Sequence, residues 1–180
     1  PVGPLAKPPP QSALPVAPRW FGYLSAERPE VETILLDLAA TGIPGEAYVR
    51  GAAPPLRAAL RTAGIQVHDR PAPIGEVLSR VGVVVHAGGG GLTSNVLAAG
   101  RPQLLMPEHL EQRLTAGLLA GLGVGLSVPD KESPGKSLLR LLKGEIYKVE
   151  AEERAAEIRA RGPWEGLSRV VEACLAGLGG

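Results

Sequence analysis

The sequence predicts one α/β domain of three layers, in which a parallel sheet of about six strands lies between helices. Three observations support this prediction: short apolar runs alternate with helical patterns, one run is almost wholly β-branched, and glycines end several of the helical patterns. Regular alternation of strands and helices predicts parallel pairing with right-handed crossovers. A chain of 180 residues is long enough to bury a full core as a single domain.

The predicted strands are short and apolar, and they cover residues 20–24, 46–50, 65–68, 81–85, 103–106 and 124–128. The predicted helices cover residues 29–41, 55–63, 74–80, 93–99, 110–122, 150–161 and 165–178. In the first helix Pro29 occupies the first turn and Gly42 ends the helix. The β-branched run at 81–85 is typical of a parallel strand that is buried on both faces.

The two ends of the chain differ in composition. Residues 1–18 contain seven prolines, which fix the backbone and remove hydrogen-bond donors, so this segment is predicted to be an extended interdomain linker. Residues 19–180 then form the folded domain. The lone cysteine, Cys174, excludes an internal disulfide, and its helical spacing with apolar neighbours predicts a core position.

Composition also excludes several classes of function. Lys and Arg (19) nearly balance Asp and Glu (18), and aromatic residues make up only 3% of the chain. A nucleic-acid partner is therefore not expected, because such proteins need basic surfaces and stacking platforms. No apolar run approaches the ~18 residues that cross a bilayer, so no transmembrane segment is predicted, and we expect a cytoplasmic protein.

A glycine-rich segment, HAGGGGLT at residues 86–93, lies between the most apolar predicted strand and a helix. Glycines let a backbone approach a ligand closely, and a helix that starts there offers unpaired N–H groups and the positive end of its dipole. This pattern indicates an anion site at the carboxyl end of the sheet. The alternative is a tightly packed turn with no ligand.

The segment AGGGGLTSNVLAAGRPQLLMPEHLEQ, residues 87–112, resembles the C-terminal donor domain of GT-B glycosyltransferases of the UDP-glycosyltransferase type. That family carries H-G-G-x-G-T, an alanine-rich helix, A-G-x-P, a strand that ends in proline, and D/E-Q. The match runs without gaps, and GLGVGLSV at 121–128 continues it. The resemblance implies a Rossmann-like α/β/α domain that forms the C-terminal half of a GT-B fold.

The resemblance implies that the glycine segment and the end of the first strand contact the donor phosphates. The implied residues are His86, Ala87, Gly88, Gly89, Gly90, Gly91, Thr93 and Ser25. One departure from the family is clear, because the family's loop histidine falls on Ala87 and His86 stands one place earlier. Either His86 still reaches the phosphate or the backbone amides bind it alone. Thr93 either contacts phosphate or caps its helix.

Further positions follow from the same alignment. The loop residues Arg70, Pro71, Ala72 and Ile74 match the family's base-binding loop, with Pro71 where relatives often place an aromatic ring. Asn95 matches a ribose-binding acid. Glu111 and Gln112 match the donor-sugar contacts, although Glu111 is equally suited to the first turn of a helix. His68 and His109 fit no pattern and are interpreted as structural.

The resemblance implies a metal-independent, inverting transfer of a sugar from UDP or dTDP to an acceptor hydroxyl, with no cofactor and no metal site. The family's general base belongs to an N-terminal domain, so no catalytic residue is expected here. That partner domain lies in cis or in a separate subunit. Three alternatives stay open: a subunit of a two-chain transferase, half of a GT-B-like epimerase, or a non-enzymatic nucleotide-binding module.

Overall fold

The computed structural model describes residues 14, 15, 17–129 and 132–160. Six strands run parallel in one sheet: β1 Trp20–Ser25, β2 Gly45–Arg50, β3 Gln66–Val67, β4 Val83–His86, β5 Gln103–Leu105 and β6 Gly125–Ser127. Seven helices connect and follow them: α1 Val31–Ala39, α2 Pro54–Thr62, α3 Ile74–Leu78, α4 Gly90–Ala98, α5 Leu110–Gly121, α6 Pro134–Lys143 and α7 Glu145–Ala160. These counts refer to the described residues, and they confirm the predicted fold class.

The strand order is β3-β2-β1-β4-β5-β6. The chain moves outward from β1 to β3, then returns to the other side of β1 and continues to β6. The loops that follow β1 and β4 therefore leave the sheet in opposite directions, which opens a crevice at the carboxyl ends of these strands. Tyr23 on β1 pairs with Tyr48 on β2 and with His86 on β4, so the three residues form one row across the sheet.

Helices cover both faces of the sheet, and β4 shows how. Val83 and Val85 join the core beneath α1, α2 and α6, while Val84 joins the core beneath α3 and α4. This alternation confirms that the β-branched run is buried on both sides. A third cluster joins the β5 edge to α5 and α7 through Leu105, Leu119 and other residues. Within the described residues, none of the helices combines the length and apolarity needed to cross a membrane.

Helices α1 and α4 begin at residues other than those predicted. The first helix begins at Val31, and Pro29 lies in the preceding turn, because the chain needs residues 26–30 to leave the end of β1. The helix predicted at 93–99 begins three residues earlier, at Gly90, and the Thr93 amide closes its first turn on the Gly89 carbonyl at 3.0 Å. Packing on the sheet supplies helix stability that glycine lacks locally.

Helix α6 was not predicted. Its sequence does contain a start signal, since the Ser133 side chain accepts a hydrogen bond from the Lys136 amide and Pro134 follows at the first helical position. Helix α7 begins at Glu145, five residues before the predicted start. The predicted helix at 165–178, with Cys174, and nearly all of the predicted linker at 1–18 lie outside the described residues.

Candidate functional site

A cleft of about 580 Å³ lies at the carboxyl edge of the sheet. One wall comes from the ends of β1 and β2 and includes Ser25 and Arg50. The loop that leads from β4 into α4, with residues 89–91, lines the centre, and Glu108 and Gln112 line the opposite wall. The cleft therefore lies where the strand order reverses, which is the position of ligands in open parallel sheets.

The four glycines of the loop have different structural roles. Gly88 has φ of 101°, and a Cβ there would lie 3.3 Å from the Gln112 carbonyl oxygen, so the fold itself requires glycine. At Gly89, Gly90 and Gly91 an added Cβ would meet nothing within 4 Å, and none of the three has positive φ. Neither packing nor backbone conformation explains these three glycines. They leave open space directly above the loop backbone, in the cleft.

Helix α4 begins inside this open space. Gly89 is its N-cap residue, so the amides of Gly90, Gly91 and Leu92 belong to the first turn and have no acceptor within the helix. The positive end of the helix dipole lies at the same point. Unpaired amides, the dipole and missing side chains together form a surface suited to phosphate oxygens.

His86 lies beneath the loop, where it is almost completely buried. The Gly88 amide donates to Nδ1 at 3.1 Å, so Nδ1 carries no proton, and Nε2 donates to Gln103 Oε1 at 2.9 Å. Burial lowers the pKa of His86 to about 4, although the Gln103 hydrogen bond opposes the shift. Gln103 in turn donates to the Thr93 carbonyl at 3.5 Å. The ring is therefore neutral, and it fixes the glycine loop from below.

The other predicted phosphate residues are close to the loop. Ala87 and Ser25 line the cleft, and Ser25 Oγ accepts a hydrogen bond from the Glu27 amide at 3.3 Å. Thr93 is the fourth residue of α4 and does not cap it, so the capping alternative was wrong. The Thr93 hydroxyl is buried and has no hydrogen-bond partner among the residues that the structure describes.

The two predicted sugar contacts lie in different environments at the start of α5. Gln112 lines the cleft, and its Oε1 accepts from the amides of Glu108 (2.7 Å) and His109 (3.3 Å). Only the Gln112 amide nitrogen is thus left to donate to a ligand. Glu111 is exposed in the first turn of α5 and is not among the residues that line the cleft.

The predicted base and ribose residues lie beyond the cleft lining. Arg70 and Pro71 are exposed, Ala72 and Ile74 pack against the core beneath α3, and Asn95 is half-buried on α4. The structure therefore brings most of the predicted phosphate residues and Gln112 together in one cleft, although Gly88 and Thr93 are buried and do not line it. The base loop forms a separate segment.

A buried charge cluster anchors this base loop. Glu46 on β2 accepts two hydrogen bonds from Arg80 at 2.9 Å and contacts His68 Nε2 at 2.6 Å. Burial alone would raise the pKa of Glu46, but the hydrogen bonds and charges of Arg80 and His68 outweigh it and lower the pKa. Because His68 precedes the loop and Arg80 follows α3, the cluster fixes both ends of the segment to β2.

Sequence reasoning missed Tyr23, Arg50 and Glu108, which line the cleft, and it gave His109 there no role. Arg50 was the last residue of a predicted strand, and Glu108 closely follows another. Since carboxyl ends of parallel strands meet at one edge, polar residues at these positions were the available signal. In the part of the chain that is described, no group of three or more His, Cys, Asp or Glu side chains could hold a metal ion.

A parallel sheet in this order, with a glycine loop and a helix N-terminus at the switch point, is the arrangement of Rossmann-like nucleotide-binding domains. No protein-family model matches the chain. Curated glycosyltransferases are similar to it. The vancomycin aglycone glucosyltransferase of Amycolatopsis orientalis is 33% identical over an alignment of 167 residues, and the match covers 82% of this chain and 40% of that protein. The elloramycin glycosyltransferase ElmGT of Streptomyces olivaceus is 38% identical over 90 residues, 49% of this chain and 22% of that protein.

Among solved structures, the Streptomyces sp. SF2575 glycosyltransferase SsfS6, complexed with thymidine diphosphate, superposes with a TM-score of 0.69 at 23% identity. This match covers 89% of this chain and 42% of SsfS6, and it shows the shared fold. The chain thus spans well under half the length of the proteins it matches. Together the likenesses identify it as a GT-B, UDP-glycosyltransferase-like domain that corresponds to part of the C-terminal half.

Proposed function

We propose that this chain is the donor-binding part of a glycosyltransferase, which binds a UDP- or dTDP-sugar in the cleft. The observation that carries the proposal is the open space above Gly89, Gly90 and Gly91, where no side chain and no backbone strain accounts for glycine. A diphosphate fills such a space and accepts hydrogen bonds from the amides of the first turn of α4. Thymidine diphosphate bound to SsfS6 supports this class of ligand.

The chemistry proposed is a metal-independent transfer with inversion. An acceptor hydroxyl attacks the anomeric carbon, the bond from that carbon to the diphosphate oxygen breaks, and the nucleoside diphosphate leaves. Fixed N–H groups at the start of α4 stabilise the charge that develops on the leaving oxygen. His86 has a positioning role in this scheme, because its neutral ring holds the Gly88 amide and thereby the loop.

The remaining donor contacts are assigned by the same proposal. The Gln112 amide nitrogen and the Glu111 carboxylate bind sugar hydroxyls, since carboxylate oxygens accept hydrogen bonds from adjacent hydroxyls. Asn95 binds the ribose, and backbone groups of residues 70–74 bind the base. Ser25 adds a hydroxyl from the β1 side of the cleft. The Thr93 hydroxyl is buried and does not line the cleft, so it is assigned no contact with the diphosphate.

The acceptor and its general base are assigned to a further domain or a partner subunit. The similar glycosyltransferases extend well beyond the aligned region, which supports a second domain in the whole protein. We therefore expect the 180-residue chain to bind nucleotide but not to transfer sugar by itself.

Calorimetry with UDP, dTDP, GDP and NAD tests the proposal directly. We expect UDP or dTDP to bind, and ligand at a hundredfold excess over its Kd to stabilise the chain by ~2.7 kcal/mol. Gly90→Ala should weaken binding at least tenfold, because the new methyl group occupies the space of the phosphate. Gly117→Ala is a matched control, since Gly117 is also an exposed helical glycine with open space around its Cβ position.

Both substitutions should leave the free energy of unfolding equal or slightly higher, because alanine favours helix. Absence of any nucleoside diphosphate binding at millimolar concentration would refute the proposal. If the Gly90→Ala variant and the wild-type chain bind nucleotide with equal affinity, the glycine run is an ordinary turn that binds no phosphate.

A further inference from the structure

We propose that Arg50 binds the diphosphate group of the donor from the β2 side of the cleft. Of the cleft-lining residues that the structure describes, Arg50 is the only lysine or arginine. It is the last residue of β2, and it pairs in register with Ser25, the last residue of β1. This inference rests on the proposed function, since it assigns a further residue to the same ligand.

The side chain already extends toward the loop. Arg50 Nη2 donates to Ser25 Oγ and to Glu27 Oε2, both at 3.4 Å, so the guanidinium lies at the end of β1. The next strand is β4, whose end leads into the glycine loop. Neighbouring strands are about 4.8 Å apart, which is within reach of a side-chain rotation for an arginine.

Acidic side chains line the cleft, so a cation is required to favour a diphosphate there. Glu27 and Glu108 both line the cleft. The Glu27 carboxylate repels a diphosphate, whereas the Glu108 carboxylate lies 3.9 Å from the Arg28 guanidinium. His86 contributes no charge, because both ring nitrogens are committed to neutral partners. Arg28 does not itself line the cleft, and its Nη1 donates to the Met106 carbonyl at 2.7 Å.

The present partner of Arg50 is easily exchanged. The Arg50 and Glu27 side chains are 63% and 87% exposed, and exposed ion pairs contribute little free energy. A phosphate can accept two parallel hydrogen bonds from the planar guanidinium, whereas Glu27 accepts only one from Arg50, at 3.4 Å. Glu27 thus holds the arginine near the loop until a diphosphate replaces it.

The test measures dTDP and inorganic pyrophosphate affinity of the 180-residue chain and its variants. Arg50→Gln should weaken the binding of both ligands about tenfold, the order expected for a lost hydrogen bond to a charged group. The affinities of Arg50→Lys should lie between those of Arg50→Gln and the wild type. Glu27→Gln should strengthen binding severalfold. Arg140→Gln is the control, because it removes the same charge from an exposed arginine of α6 that pairs with the less exposed Glu132, and it should change neither affinity.

The outcomes separate the two proposals. If the wild-type chain binds neither ligand at millimolar concentration, the proposed function fails and the role of Arg50 fails with it. If the wild type binds but Arg50→Gln binds within twofold of it, or Arg140→Gln weakens binding equally, only the role of Arg50 is overturned. Arg50 is exposed, and an unchanged thermal midpoint in each variant verifies that the fold is intact.

Discussion

The two sides of the switch point hold their buried polar groups in opposite ways. On the β2 side, a buried carboxylate, Glu46, is bound by the cations Arg80 and, when protonated, His68. On the β4–β5 side, His86 is bound only by neutral groups, the Gln103 side chain and the Gly88 amide. Both clusters lie on the face of the sheet that α3 and α4 cover.

The difference follows from what each cluster holds in place. The charged cluster joins segments that precede and follow the base loop, and strong charge-assisted hydrogen bonds keep both ends on β2. The neutral cluster holds one amide of the glycine loop. A protonated His86 could not accept that hydrogen bond, so the loop depends on a ring that stays neutral. The positive charge that attracts an anionic ligand must then come from the helix dipole and from the β2 side.

The largest expected effect is the loss of the charged cluster. Glu46→Gln should lower the free energy of unfolding by about 3 kcal/mol, because it replaces the charge-assisted hydrogen bonds from Arg80, each worth about 1.5–3 kcal/mol, with neutral ones at a buried position. Urea unfolding at pH 7 measures this loss. Asp69→Asn, which removes the exposed partner of Arg61, should change stability little. A loss below about 1 kcal/mol for Glu46→Gln would mean that the cluster is not an anchor.

The neutral cluster predicts acid sensitivity. The pKa of His86 lies at about 4 in the folded chain, below its ordinary value of 6.5. Between these values the unfolded chain binds a proton that the folded chain does not, so stability falls as the pH falls. Between pH 7 and pH 5 the loss should be about 2 kcal/mol for this group.

Denaturant unfolding at several pH values compares the wild type with His86→Gln, which retains an acceptor and cannot titrate. The variant should lack this part of the pH dependence, while the remaining ionisable groups affect both curves alike. Parallel curves for the two proteins over pH 7 to 5 would contradict a buried, neutral His86.

The fold was predictable because its strongest signals were local. Strand and helix alternated clearly, and the valines of β4 identified a strand buried on both faces. Helix α6 was missed although Ser133 and Pro134 form a start signal and Gly144 follows the last helical residue, since no strand follows the segment in the described part of the chain to frame it. The length of each strand predicts which residues lie at the edge of the sheet. The order of the strands depends on topology alone, and local sequence signals do not predict it.

The same distinction applies to the site. The glycine loop and Gln112 were predicted from one continuous segment, and the structure brings them into the same cleft. Arg50 was not predicted, because its proximity to the glycine loop depends on β2 lying beside β1 and on β1 lying beside β4. For His86 the alignment left two alternatives. The two-residue period of a strand places its side chain on the same face as Val84, toward the core, and this signal favoured a buried ring.

The smallest expected effect concerns Glu111, at the rim of the neutral side. We expect Glu111→Ala to weaken the binding of a UDP- or dTDP-sugar about fivefold, because the substitution removes about one hydrogen bond's net free energy of binding. Binding of UDP or dTDP should be unchanged, because the Glu111 carboxylate is assigned to sugar hydroxyls. Glu32→Ala is the matched control, since Glu32 is likewise an exposed acid in the first turn of a helix. Both variants lose a similar interaction with a helix dipole, worth about 0.3–1 kcal/mol, so their stabilities should change alike. Calorimetry with the nucleotide and the nucleotide sugar separates the two roles of Glu111. If Glu111→Ala and Glu32→Ala bind the nucleotide sugar equally well, Glu111 stabilises its helix and does nothing else.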